Sequence, residues 1–303
     1  MSESAANLRC KIDGAADLQS VVRTMKAIAA SSIGQYEGAV RSLDAYYRAV
    51  QLGLAACFRA PEANQFPFRL ARQPAGAIGA LVFGSDQGLV GQFNEAMAEF
   101  VIETLAALPG KKIVWSVGER IYSRLAETDL AHGKRFGLPN SIDAITPLVG
   151  QIILEIEMLR EKGELTQVIL FHNRPQAGAI YTPTCQRLLP LDAAWRRELE
   201  TIVWPTKNLP EVMNGGNQTL LAFVREYLFV SLFRTCAESL ASENASRLAA
   251  MQRAEKNIDE LLEDLNRSFH RLRQSSIDEE LFDLVSGFEA LSVRLHADLT
   301  RYE

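Results

Sequence analysis

The chain has 303 residues, 48% of them apolar and 23% charged, the balance of a folded protein rather than a disordered or collagen-like one. Its formal charge of −5 is spread along the chain, which argues against a dedicated nucleic-acid binder with a basic patch. The four cysteines (Cys10, Cys57, Cys185, Cys236) lie far apart without a C-x-x-C; this argues against zinc knuckles and thioredoxin-like motifs and suits a reducing compartment.

Residues 1–60 form the first region. Leu8, Ile12, Ala15, Leu18, Val22, Met25, Ala29, Ser32, Tyr36, Val40, Leu43, Tyr47, Val50, Leu54 and Cys57 alternate spacings of three and four. That period predicts one helix from near Glu3 to near Arg59 with a coiled-coil seam. Pro61 and the P-E-A-N-Q-F-P stretch end it.

Residues 61–216 form the second region, an α/β domain with a connector. Ala75–Ser85, Lys112–Val117 and Gln167–Phe171 read as buried strands. Helical patterns at 93–108, 119–127 and 144–162 alternate with them, which predicts a mostly parallel sheet. Residues 176–190 read as an extended pair or edge strand, and 191–216 as a connector punctuated by Pro205, Pro210 and N-G-G-N.

Residues 217–303 form the third region. Asn217 or Thr219 can cap a helix running to near Tyr302. Leu248, Met251, Ile258, Leu262, Leu265, Phe269 and Leu272 mark its apolar stripe. Unbroken, roughly 80 helical residues would extend about 120 Å. The two long helices lie at opposite ends of the chain, so each can serve as the other's antiparallel partner. The competing arrangement folds both over the sheet as a bundle.

Catalytic signals are sparse. The stretch G-S-D-Q-G-L-V-G (Gly84–Gly91) lies where a strand passes into a helix, the place that cradles phosphate in nucleotide-binding folds. Its spacing matches neither G-x-G-x-x-G nor a P-loop, no cation follows it, and Asp86 would repel phosphate. It reads as a tight turn whose glycines allow close strand–helix packing, with Asp86 or Ser85 capping the next helix. His132, His172, His270 and His296 lack metal spacing and read as surface or capping residues. No coherent set of nucleophile, base and orienting group is present, so the chain reads as non-catalytic, without a cofactor or metal.

No run of about 18 apolar residues exists to span a bilayer, and the N-terminal stretch lacks a signal-peptide core. The expectation is a cytosolic protein with any membrane association made through partners. Two segments combine small residues with polar and basic ones: Arg23–Ser32 (R-T-M-K-A-I-A-A-S-S) and Arg271–Leu281 (R-L-R-Q-S-S-I-D-E-E-L). In an antiparallel pair they could meet near one level.

These segments carry a resemblance to the gamma subunit of rotary F-type ATP synthases. Arg23–Ser32 resembles that family's K-A-M-K-M-V-A-A-S-K. Ser85–Asn94 (S-D-Q-G-L-V-G-Q-F-N) resembles S-D-R-G-L-C-G-x-F-N. Ser242-Glu243, Arg247–Met251, Arg273-Gln274, Ile277–Leu281 and Gly287 are similar to the family's C-terminal signature. Departures stand at Ser32, Val90 and Asp278, at Phe269-His270, and at Ser20-Val21-Val22, where the family has K-I-T.

The resemblance implies an antiparallel, left-handed pair of terminal helices flanking a Rossmann-like domain. It also implies a rotor shaft inside a ring of alpha and beta subunits. The base would rest on the c-ring and bind epsilon, with the complex at the cytoplasmic face of a bacterial plasma membrane. Arg23, Met25, Lys26, Arg273 and Gln274 are implied contacts with the beta subunits, and a segment near 201–211 is the implied c-ring contact. Two other readings compete: a nucleotide-dependent enzyme with dimerisation arms, and a coiled-coil scaffold without a rotary role.

Overall fold

The alternating three-and-four spacing of the first region produces one helix, α1 (Ala5–Arg59). A computed structural model of the chain describes residues 4–59, 76–176, 179–208, 210–212 and 216–299. The proline-rich stretch after α1, part of the N-G-G-N turn and Tyr302 lie outside the described residues. After α1 come β1 (Ala77–Phe83), α2 (Phe93–Ala106), β2 (Lys112–Val117), α3 (Glu119–Ala126), β3 (Ala131–Phe136) and α4 (Ile145–Glu161). Then follow β4 (Leu165–Gln176), β5 (Ala179–Leu189), α5 (Ala193–Glu200) and α6 (Gly216–Leu299). α6 alone is 84 residues long. Long terminal helices therefore flank a mixed, mainly parallel sheet.

The chain divides into two compact units, to each of which α1 and α6 contribute a part. Ala27–Ala250 holds the sheet, ordered β3-β2-β1-β4-β5, with β1 to β4 parallel and β5 antiparallel at one edge. The side-chain period of two sorts the central strands onto two faces. Leu81, Phe83, Trp115, Val117, Val168 and Leu170 join α4 and the adjoining parts of α1 and α6 in one core. Ala80, Val82, Val114, Ile169 and Phe171 join α2 and α3 in the other. The sheet is thus buried on both sides, as parallel sheets require.

In the other unit, Met1–Lys26 with Met251–Glu303, the two helices run antiparallel. Gln19 bonds Asp259, while Arg23 and Lys26 reach Glu255. Leu8, Ala15 and Met251 are buried, and Ile258, Leu262, Leu265, Phe269 and Leu272 are partly covered.

Several expectations are corrected. Leu18 is 60% exposed; Gln19 occupies the seam there and uses its amide on Asp259. β3 and α5 were not anticipated. β3 (A-H-G-K-R-F) is a largely exposed edge strand, so its sequence lacks the apolar run of a central strand. α5 lies within the predicted connector, capped by Asp192, whose carboxylate accepts from the Ala194 and Trp195 amides. His172 is completely buried, not a surface residue, because its ring lies on the sheet face that α6 covers.

Candidate partner-contact site

The five residues implied as partner contacts all lie in the helix-pair unit, at two separate levels. Met25 is half-buried. Arg23 is exposed, with its Nε 3.0 Å from Glu255, and Lys26 also donates to Glu255. Hydrogen bonds from Lys26 and then Arg23 hold the Glu255 carboxyl below its ordinary value. Two cations thus share one carboxylate of the same chain.

Arg273 and Gln274 are exposed and have no hydrogen-bond or ion-pair partner among the described residues. They do not meet the first group. The register that sets Arg23 beside Glu255 leaves Arg273 roughly 27 Å farther along α6, at 1.5 Å of rise per residue. The expected meeting of Arg23–Ser32 with Arg271–Leu281 is therefore corrected. Antiparallel pairing counts one helix down as the other counts up, which places the start of α1 about level with Arg273.

The glycine-rich turn after β1 is built for packing. A Cβ on Gly84 would lie 2.3 Å from Cβ of Ile121, and one on Gly118 would lie 2.8 Å from the Ser85 carbonyl oxygen. Asn94 closes the turn: its Oδ1 accepts from the Ser85 amide and its Nδ2 donates to Ser85 Oγ. Asp86 accepts from the Glu119 amide at 2.9 Å. It therefore caps α3, not the helix that follows in sequence, whose N-cap Gln92 makes no side-chain cap bond. Leu89 has φ 62°, the left-handed region that side chains avoid, and is 61% exposed. The turn borders an open cleft of about 460 Å³ lined by Arg120 and Arg124 but also by Glu95 and Glu127. Arg124 is already paired to Glu95 at 3.0 Å. Two carboxylates in the lining oppose a phosphate reading.

The most elaborate polar centre was missed by sequence reasoning. Glu238 on α6 accepts from His172 Nε2 and Arg174 Nε, both at 2.9 Å, on one oxygen. Its other oxygen accepts from Arg234 Nε at 2.8 Å, and Arg234 also reaches Asp44 on α1 at 3.0 Å. The Arg234 guanidinium stands 5.8 Å from the Tyr47 ring centre. The centre ties β4, α6 and α1 together. The i,i+4 spacing of Arg234 and Glu238 was its only trace in the sequence. Among the described residues no cluster of His, Cys, Asp and Glu could hold a metal.

Such an arrangement defines the class: a helix-flanked α/β protein whose polar machinery joins helix to sheet. A family profile described as ATP synthase matches residues 4–291, and the chain belongs to that family. It is 26% identical over 300 residues to the ATP synthase gamma chain of Desulfitobacterium hafniense, covering 95% of this chain and 99% of that one. The gamma chain of Glaesserella parasuis is likewise 26% identical over 292 residues, with the same coverage. Among solved structures, the Euglena gracilis mitochondrial ATP synthase described as OSCP/F1/c-ring contains a chain of like fold. Its TM-score is 0.68 at 15% identity, covering 95% of this chain and 94% of that one. A chain of the rotor of the same enzyme has TM-score 0.61 at 15% identity, covering 90% and 98%.

Proposed function

We propose that this chain is the central rotor shaft of an F-type ATP synthase. It couples ion-driven rotation of the c-ring to ATP synthesis or hydrolysis on the alpha and beta subunits. The reading is carried by the end-to-end match to gamma chains, 99% of whose length is covered. The chain is a non-catalytic subunit, and its partners are alpha, beta, epsilon and the c-ring.

The far end of α6 supports a surrounding partner. Past Leu272 every described side chain is exposed up to Phe288, where the antiparallel register has run beyond the start of α1. Phe282, Leu284 and Phe288 are each more than 70% exposed. Large apolar side chains exposed on more than one side of a helix mark an interface. An encircling sleeve of alpha and beta subunits would cover it.

Within this reading, Arg23, Met25, Lys26, Arg273 and Gln274 touch beta-subunit loops, the cations through charge-assisted hydrogen bonds. Two levels of contact, each of modest strength, let the shaft bind at some angles and release at others. Residues 1–60 and 217–303 serve as shaft and 61–216 as the α/β domain and connector, with 201–211 toward the c-ring. No described helix is long and apolar enough to cross a membrane. The location assigned is peripheral, at the cytoplasmic face of a bacterial plasma membrane, held there by the partners.

Co-expression with alpha and beta subunits tests the assignment. One copy of this chain per hexamer, with ATPase turnover dependent on it, is the expected result. A hexamer that assembles and turns over equally well without the chain would overturn it.

A further inference from the structure

We propose that Glu243 on α6 is a proton-binding site that controls how firmly the turn between β1 and α2 is held on that helix. Glu243 is 3% exposed and lies between two serines that anchor neighbouring elements. Ser242 Oγ donates to the Asn173 carbonyl at 2.9 Å, and Ser246 Oγ donates to the Val90 carbonyl at 2.6 Å. The second bond holds the turn that carries Leu89.

The Glu243 carboxyl is only half satisfied. One oxygen accepts from Arg247 Nη2 at 2.7 Å, while Oε2 is buried with no hydrogen-bond partner among the described residues. Among the described residues, the titratable groups whose charges act on it are Arg247 and Cys236 from its own helix, Tyr36 from α1 and, most weakly of the causes acting on its carboxyl, the exposed Asp86 of the turn. Burial pushes both the Tyr36 phenol and the Cys236 thiol up, so neither carries charge at neutral pH. Among the described residues, an ionised Glu243 thus meets one cation, Arg247, and feels one like charge, Asp86 of the turn itself. Burial, opposed by Arg247 and reinforced by Asp86, pushes the Glu243 carboxyl up to about 7.

The direction follows from the charges. Below neutral pH the neutral carboxyl accepts from Arg247 and leaves Asp86 undisturbed, so Ser246 keeps Val90. Above it, a carboxylate oxygen is buried without a partner among the described residues, and the cost is relieved when the turn moves away from α6 and lets water reach that oxygen. The turn already stores strain at Leu89, so it is the element poised to yield. The inference rests on this chain's own groups and is independent of the rotor reading.

The test uses the full chain. Carboxyl carbon NMR should show Glu243 titrating near neutral pH. Amide exchange at residues 86–91, corrected for its intrinsic pH dependence, should lose about tenfold in protection between pH 6 and pH 8, the size of about one pH unit of linked protonation. Glu243→Gln should abolish that change while leaving the turn protected, and Asp86→Asn should lower the titration midpoint. Titration of Glu243 in the ordinary carboxylate range would overturn the proposal. So would an unchanged pH response of the turn in Glu243→Gln.

Discussion

His172 on β4 and Glu238 on α6 meet at 2.9 Å, the imidazole wholly buried and the carboxylate side chain 6% exposed. Because a carboxylate only accepts, Nε2 carries the hydrogen, and Nδ1 is left buried without a partner among the described residues. Burial alone would raise the Glu238 carboxyl. Hydrogen bonds from His172 and Arg234, with the charge of Arg174, outweigh burial and bring it down to about 2.

Replacing Glu238 with Ala should therefore cost about 3 kcal/mol at neutral pH, since it strands buried donors and a cation. The sign of the pH dependence follows from the lowered value. The carboxylate's contribution is complete above its ordinary value of 4.5 and lost as pH falls through about 2. Urea unfolding should show the gap between wild type and Glu238→Ala closing toward pH 2. A gap of constant size across that range would rule out the charge as its source.

Glu255→Ala should free Arg23 and Lys26 together. The ion pair is solvent-screened, so the thermal midpoint should hardly move. Turnover in the assembled complex should become more sensitive to salt, because both cations are then available to partner carboxylates. Identical salt profiles for variant and wild type would mean that the two cations do not reach a partner.

Leu265 lies on the partly covered stripe of α6. Leu265→Pro should break the helix at a cost of about 3 kcal/mol or more. Circular dichroism should register lost helix, and ion flow should become uncoupled from synthesis while the sheet unit stays folded. Full coupling in this variant would contradict a continuous shaft.

Arg273→Ala removes an exposed side chain without an intrachain partner among the described residues. Unfolding midpoints should match wild type, while steady-state turnover of the reconstituted complex should change severalfold, as loss of an exposed ionic contact of up to about 1 kcal/mol allows. A stability loss with unchanged turnover would make Arg273 a structural residue.

Much of the fold was legible from local pattern. β2 and the core of β1 and β4 were marked by apolar runs, and the glycines of the turn by the close strand–helix packing they allow; that the helix is α3 came from the structure. The partner-contact residues were legible as residues but not as a site. Nothing in the local sequence tells that Lys26 and Arg23 would turn to Glu255, more than two hundred positions away, or that Arg273 would lie on another level. The caps misled for a like reason. Asp86 sits ahead of α2 in sequence, yet the crossover brings the amide of Glu119 closer.

The sequence by itself determined the two long helices and the strand–helix alternation between them, because periodicity and turn chemistry act over a few residues, while the family came from the resemblance of its motifs. Tertiary structure alone decided the register of α1 on α6, the exposure of Leu18, the burial of His172 and the joining of β4 to α6 through Glu238. Those outcomes depend on which distant side chains share a desolvated space, where a polar group must find its partner or lose the free energy of hydration.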